Sequence, residues 1–438
     1  MVVEPRGGVR HSDGSAAVTA PERLVVVGQG HVGLPIAMSA VDAGFSVVGL
    51  DTDAARIWAL QDGQSHVEEV CADRLRRALS SGRYLPTGHY VDADRFDHAI
   101  ITVPTPFTGG LTDLSHVTEA VCGLALHLRP GATVVLESTT YPGTTEELVA
   151  PLLEVGSGLV AGRDFSVGYS PARAEPGNRH WRFENTPKVV SGTDESSLSA
   201  VRALYDRLVE TTVPVAGTRE AELAKLIEDA FRHVNIALIN EMAMFARELG
   251  VDVWQAVEAA ATKPFSFCRF TPGPGPGGEC LPVGARYLSA RLGRDPNRDS
   301  RLVTLANDIN DHMPDYVVHR LATALNRNRK SLGDSVVLLL GLSCAADTGD
   351  VRESAAMRVV ELLNGHGAVT WAVDAHVEPH RCPPSVKLVE LAESVLREAD
   401  AVVLLTDHDD LDYDLVERHA RLLLDTRHRV CGPRVEYL

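Results

Sequence analysis

The run Arg23-Leu-Val-Val-Val27, followed by Gly28-Gln29-Gly30-His31-Val32-Gly33 and then Leu34-Pro-Ile-Ala-Met38, decides the fold. A β-branched segment long enough for one buried strand meets three glycines at the spacing G-x-G-x-x-G and passes into an apolar helical stretch. Gly28 permits the tight turn, Gly30 lets backbone approach a pyrophosphate, and Gly33 allows close packing of helix on sheet. The helix N-terminus adds amide donors and the positive end of its dipole. A second apolar run, Phe45 to Leu50, ends in Asp51, 23 residues after Gly28. That is the span of one βαβ unit, with a carboxylate where it can accept from ribose hydroxyls. The same carboxylate repels a 2′-phosphate, so NAD is expected rather than NADP, with Arg56 placed to flank the adenosine.

Working outward, further buried-strand candidates are 99–103, 133–136, 165–169 and 188–190, separated by stretches long enough for helices. From Glu220 to Gly250 the texture changes. Leu223, Leu226, Ile227, Ala230, Phe231, Val234, Leu238, Phe245 and Leu249 recur mostly at helical spacings without Gly or Pro, which predicts one helix of roughly 45 Å. Periodicity alone reads such a helix as a connector, a subunit interface or a buried core element. A further helical stretch is predicted over 301–325, and strands 336–341, 369–374 and 402–406 restart the alternation. The expected class is α/β: two Rossmann-like, doubly wound parallel-sheet domains joined by a long central helix and helical region. The expected division is a flexible tail over 1–22, an NAD-binding domain over 23–215, a central helical dimerisation domain over 216–325, and a nucleotide-sugar-binding α/β domain over 326–438.

Composition sets bounds on function. In 438 residues, 45% hydrophobic and 23% charged, there is core enough for two or three domains, and no apolar run spans a bilayer. Lys plus Arg number 42 against 59 Asp plus Glu, a net charge of -17. That argues against nucleic-acid or anionic-membrane partners held by a general field, so an anionic substrate needs local cations. Seven scattered cysteines without a CxxC pair suggest neither a disulfide framework nor a zinc site. With no apolar leader in the first 22 residues, a cytoplasmic location is expected.

A second signal is Phe270-Thr-Pro-Gly-Pro-Gly275-Pro-Gly277-Gly-Glu279-Cys280. A loop poor in side chains brings backbone amides close to a ligand, and a cysteine at its end is presented as a nucleophile or packed as an inert thiol. On the long helix Lys225, Asp229 and Arg232 fall near one face. By itself that is a solvated, salt-bridged stripe as readily as a site.

Seven motifs follow in order along the chain: Gly28-Gln-Gly-His-Val-Gly-Leu-Pro35, Val103-Pro-Thr105-Pro with Asp113-Leu114, Glu137-Ser-Thr-Thr-Tyr-Pro-Gly-Thr144, Ser170-Pro-Ala-Arg-Ala-Glu-Pro-Gly177, Ala221-Glu-Leu-Ala-Lys225, Asn235 to Glu241, and Pro272 to Cys280. Asn310-Asp-His-Met-Pro314 and Asp350-Val-Arg-Glu-Ser354 extend the series. With these the chain resembles the UDP-glucose/GDP-mannose dehydrogenase family over roughly residues 23 to 430. Within it, the chain is most similar to the UDP-N-acetylhexosamine 6-dehydrogenases, notably the UDP-N-acetylglucosamine enzymes.

The resemblance implies oxidation of the C6 primary alcohol of a nucleotide sugar to a carboxylate by two NAD+. The Cys280 thiolate adds to the intermediate aldehyde, and the thiohemiacetal gives up a second hydride to leave a thioester that water opens. It implies that Lys225 stabilises charge on the reacting oxygen, that Thr139 holds water or cofactor, and that His31, Val32, Val103, Thr105 and Glu175 line the cofactor beside Gly28, Gly30, Gly33, Asp51 and Arg56. Arg173, Lys225, Arg232 and, from a neighbouring subunit, Lys263 are implied near the substrate. The Gly275 and Gly277 amides are implied beside the sugar, and Arg352 on the nucleotide side of the C-terminal domain. A homodimer or higher homo-oligomer through the central region is implied as well, with no metal.

The chain departs from the family pattern where the chemistry lies. Ala172 replaces a glutamate, Asp229 an asparagine, Glu279 a histidine and Gly284 an aspartate, while Cys344-Ala345-Ala346 replaces an aromatic-lysine pair. Asp229 or Glu279 can supply the lost carboxylate, which puts Asp229 among the catalytic candidates. Three readings stay open: a four-electron nucleotide-sugar 6-dehydrogenase, a diverged oxidoreductase that stops at the aldehyde or takes another nucleotide sugar, and a non-catalytic protein that keeps the NAD fold.

Overall fold

The computed structural model describes residues 21–108, 111–173, 178, 180–277, 301–352 and 354–438. Residues 1–20 of the tail expected over 1–22, and Glu175, Glu279, Cys280 and Gly284, lie outside these residues.

Sixteen strands are described. In chain order they are Arg23–Val27 (β1), Ser46–Leu50 (β2), Tyr84–Thr87 (β3), His98–Ile101 (β4), Phe107–Thr108 (β5), Leu111–Thr112 (β6), Thr133–Leu136 (β7), Ser166–Tyr169 (β8), Lys188–Gly192 (β9) and Thr212–Pro214 (β10) in the first half. The second half holds Val336–Leu340 (β11), Val369–Val373 (β12), Val386–Leu388 (β13), Ala401–Leu404 (β14), Leu423–Asp425 (β15) and Val435–Tyr437 (β16). The N-terminal sheet runs β10-β9-β8-β7-β4-β1-β2-β3, the C-terminal sheet β13-β12-β11-β14-β15-β16, and β5 and β6 form a small hairpin. In both large sheets the chain leaves the first strand to one side and returns to its other side. That places a topological switch point at the carboxyl ends of β1 and β4 and again of β11 and β14.

The central strands read as continuous apolar runs because helices cover both faces. On β1, Leu24 and Val26 join Ile36, Met38, Leu204 and Tyr205 on one face. Val25 and Val27 join Ile101, Val121 and Leu124 on the other. On β11, Val337 and Leu339 meet Leu321 and Val360, while Leu338 and Leu340 meet Leu396 and Val416.

Three features differ from the sequence expectation. The sheet is not wholly parallel: β8 and β9 pair antiparallel, Gly168 opposite Gly192 and Tyr169 opposite Ser191. The helix expected over 301–325 is two, Arg301–Asp311 and Met313–Arg327; Pro314 stands in the first turn of the second, where its missing N–H costs nothing. Strands β3, β10, β13, β15 and β16 were not foreseen, being at most four residues long and, in β3 and β10, carrying a proline suited to an edge.

The long helix is Thr218–Glu248, 31 residues and so roughly 46 Å. Its inner face buries Ala221, Leu226, Ala237 and Ala243 together with the polar Glu222, Lys225, Asp229, His233 and Asn240. Its other face leaves Ile227, Phe231, Leu238 and Phe245 exposed at spacings of four and seven. The helical region meets the C-terminal domain where the Trp254 ring lies over His428, centroids 5.0 Å apart and 12° from parallel.

Candidate active site

The glycine turn has the geometry its spacing demands. Gly28 has φ +92°, and a side chain there would meet the Thr102 carbonyl at 2.9 Å. At Gly33 a Cβ would lie 1.8 Å from the Gly28 oxygen, so helix and turn touch. At Gly30 a Cβ would meet nothing within 4 Å, which leaves the backbone open on the side where a pyrophosphate approaches. Val32 caps the helix start and packs against the core. The Asp51 carboxylate is fixed by the Gln29 amide at 2.8 Å, the Asp53 amide at 2.9 Å and Arg56 Nη1 at 2.8 Å. Arg56 is thus held at the Asp51 carboxylate that ends β2. Gln29, unremarked in the sequence, is fully buried; it donates to the Val26 carbonyl at 2.8 Å and accepts from Tyr84 at 2.7 Å, bracing the turn from below.

Beside the turn, the segments after β4 and β7 lock together. Ser138 Oγ donates to the Val103 carbonyl and Thr105 Oγ1 to the Thr139 carbonyl, both at 2.7 Å. Glu222, buried on the long helix, accepts from the amides of Gly143 at 2.5 Å and Thr145 at 2.9 Å, and from the Thr145 hydroxyl at 2.7 Å. Burial pushes its carboxyl up, against the pull of those donors. Thr139 is thus held by Thr105, and the segment that follows it by the long helix.

Four of the expected residues converge on one cavity of about 230 Å³ lined by Arg173, Asn178, Trp181, Thr186, Lys225, Glu228, Asp229 and Arg232. Lys225 Nζ lies 3.0 Å from Asp229 Oδ1, and both residues are buried, so the pair is not a solvated stripe. Burial raises the Asp229 carboxyl above the ordinary range although Lys225 pulls it down. Among the described residues its buried Oδ2 has no hydrogen-bond partner. Arg173 donates through Nε to Glu228 at 3.0 Å and through Nη1 to the Pro187 carbonyl at 2.7 Å. Glu228 carried no signal in the sequence beyond its charge.

The remaining expected residues lie around this centre. Gly275 packs against Ala355, where a Cβ would come within 3.2 Å. A Cβ on Gly277 would lie 1.9 Å from the Cys344 carbonyl, so the loop leading to Cys280 runs against the C-terminal domain. Asn240 Oδ1 accepts from the Gly273 amide and Asn240 Nδ2 donates to Asn310, each at 3.0 Å, anchoring that loop to the two helices. Lys263 is exposed, its Nζ 4.9 Å from the Phe265 ring centre, and is not among the cavity residues. Arg352 grips Asp350 through Nε at 2.9 Å and Nη2 at 2.7 Å. Both act on His31, whose imidazole pKa is lowered first by burial, with Asp350 raising it and Arg352 lowering it. Arg352 therefore stands across the cleft from the glycine turn.

The C-terminal domain repeats the turn. Gly341, at φ +83°, meets Thr406 as Gly28 meets Thr102, and Asp374 at the end of β12 accepts from the amides of Leu342 at 2.7 Å and Ser343 at 3.2 Å. Nearby, Asp347, His376, His408 and Asp410 bring potential metal-ligand atoms within 4.8 Å of one another. Both nitrogens of His408 are already engaged there, Nδ1 by the Asp347 amide at 3.0 Å and Nε2 by Asp374 at 3.1 Å. The cluster thus braces the loop after β11.

Known proteins place this arrangement. The family model for the NAD binding domain of the UDP-glucose/GDP-mannose dehydrogenase family matches residues 22–209, that for its central domain 219–312, and that for its UDP binding domain 338–431. An NDP-N-acetyl-D-galactosaminuronic acid dehydrogenase from Ralstonia solanacearum is 35% identical over 92% of this chain and 95% of its own. A UDP-N-acetyl-D-glucosamine 6-dehydrogenase from Salmonella typhi is 32% identical over 88% and 90%. The solved UDP-D-ManNAc dehydrogenase from Pyrococcus horikoshii superposes with a TM-score of 0.84 at 32% identity, covering 95% of this chain and 98% of that one. The duplicated turns, the buried Lys225 on a long connecting helix and a match through all three domains have one explanation: the chain belongs to the UDP-glucose/GDP-mannose dehydrogenase family.

Proposed function

We propose that this protein oxidises the C6 primary alcohol of a nucleotide sugar, a UDP-N-acetylhexosamine or UDP-hexose, to the uronic acid. The observation that carries the reading is the cavity that gathers Arg173, Lys225, Asp229 and Arg232 at the foot of the long helix. Three cations against the two carboxylates Glu228 and Asp229 give this cavity a local positive excess in a chain of net charge -17, which favours the anionic nucleotide sugar. NAD, when bound on the Gly28 turn, accepts hydride.

Lys225 stabilises negative charge on the C6 oxygen as the first hydride leaves, and its partner Asp229 takes the hydroxyl proton on Oδ2. Cys280, carried by the loop that Asn240 anchors, adds as thiolate to the aldehyde. Loss of the second hydride leaves a thioester, which water opens to acid and thiol. Arg173 and Arg232 hold the anionic end of the substrate, the Gly275 and Gly277 amides approach the sugar, and Lys263 serves the site of a partner subunit. Thr105 and Thr139 face the cofactor, and Arg352 serves the nucleotide end of the substrate from the C-terminal domain.

The exposed stripe Ile227, Phe231, Leu238 and Phe245 supports a homodimer built on the long helix. Free thiols at Cys71, Cys122, Cys268, Cys382 and Cys431 support a reducing cytoplasm. Among the described residues no helix is long and apolar enough to cross a membrane.

The test is NADH yield and product mass over a panel of UDP-, GDP- and dTDP-sugars. The expected result is two NADH and one acid per sugar, with Cys280→Ala forming no acid. One NADH with a trappable aldehyde indicates a reaction that stops halfway. NAD binding without turnover on the whole panel overturns the proposal.

A further inference from the structure

The deepest charges in the N-terminal domain lie outside the cavity. Glu137, at the end of β7, is 1% exposed and Lys188, at the start of β9, is 3% exposed. Lys188 Nζ lies 2.7 Å from Glu137 Oε2 and donates to the Pro171 carbonyl at 3.0 Å. Tyr205 donates its hydroxyl to the other carboxylate oxygen, Glu137 Oε1. The ammonium also lies 5.2 Å from the centre of the Tyr205 ring and 5.7 Å from that of Phe183.

Removing two charges from water costs more than burying apolar groups of the same volume, so stability alone does not account for this pair. Its position does. Because β9 runs antiparallel to β8, its first residue lies at the carboxyl edge of the sheet, where ligands bind. Extending the register from Tyr169 opposite Ser191 sets Lys188 level with Ala172, one residue before Arg173. Pro187, one residue before Lys188, offers its carbonyl to the Arg173 guanidinium at 2.7 Å, and Thr186 lines the cavity. Glu137 in turn precedes Ser138 and Thr139, which are locked to Val103 and Thr105. One buried pair thus fixes two ligand-side segments, one carrying Arg173 and one carrying Thr139.

We infer that Lys188, held by Glu137 and Tyr205, is a positioning residue that sets Arg173 in the cavity and so governs affinity for the anionic end of the nucleotide sugar. The inference rests on the proposed reaction at that cavity. Lys188 does not touch the substrate; it acts through the Pro171 carbonyl and through the path of its own strand.

The experiment is a double-mutant cycle on the full chain, reading steady-state NADH formation with the nucleotide sugar and NAD varied separately. Lys188→Met is expected to raise the sugar KM about tenfold with kcat and the NAD KM within about threefold, and to add little in an Arg173→Ala background. A folded Lys188→Met protein whose sugar KM is unchanged, or whose effect simply adds to that of Arg173→Ala, overturns the inference. Should burying Glu137 without its cation prevent folding, Glu137→Gln combined with Lys188→Met removes both charges and is held to the same two criteria. No wild-type turnover on any nucleotide sugar defeats the proposed reaction instead, and is distinct from either result.

Discussion

Gly30 and Gly33 are three residues apart and fail in different ways when given a side chain. A Cβ at Gly33 collides with the Gly28 oxygen, so Gly33→Ala must push helix and turn apart and is expected to lower the melting temperature by several degrees. A Cβ at Gly30 meets nothing in the protein, so Gly30→Ala should melt with the wild type yet bind NAD at least tenfold more weakly, as titration of protein fluorescence would show. Equal melting losses in the two variants would contradict this assignment of roles. Asp229 gives a pH signature. Burial raises its folded pKa above the unfolded value, so the stability linked to its protonation is full below the ordinary aspartate range and is lost as pH rises through the folded value. In the proposed reaction the ionised form accepts the proton, so kcat should fall as pH drops through that raised pKa. Asp229→Asn should lower kcat about a hundredfold and erase this acid limb. An unchanged profile in the variant would assign the limb to another group.

At the scale of elements, the long helix was legible because its period runs unbroken for 31 residues. Its two faces were not, since Lys225 and Asp229 look like any i, i+4 surface pair until the fold buries them. β1 and β2 were legible because a strand covered on both faces of a doubly wound sheet reads as a nearly continuous apolar run. The three-residue edge strands were not, for pairing alone makes them strands. Nor could the antiparallel turn of β9 be read, because Lys188-Val-Val-Ser-Gly192 has the same composition whichever way it points. The helix prediction belongs here too. Phe231→Glu together with Leu238→Glu should shift the protein from dimer to monomer in light scattering without loss of helical circular dichroism, and a wild-type monomer at micromolar concentration would dispose of the interface.

At the scale of the molecule, the order of motifs specified two turn-bearing halves about a connector, and the comparisons bear out the family and fold. The cavity was legible as an inventory: Arg173, Lys225, Asp229 and Arg232 were all named. Its bracing by Glu222, Glu228, Lys188 and Asn240 was not, because each pairs with a group more than fifty residues away or bears an unremarkable surface charge. The net charge of -17 sets a kinetic expectation. The global field repels an anionic sugar nucleotide while the three cavity cations act only at short range. Association measured by stopped flow should therefore quicken modestly between low salt and physiological ionic strength; a steep slowing would mean that the cations steer capture from a distance.

The long helix carries one more implication. Lys225 and Asp229 face the cavity, while Ile227 and Phe231, two residues further along in each case, face outward on the same two turns. In the proposed dimer the partner's helix would cover the outer side and stiffen the inner one. The enzyme's turnover per molecule should then depend on how much of it is present, falling on dilution below the subunit dissociation constant and recovering on concentration, with no change in the amino acids at the cavity.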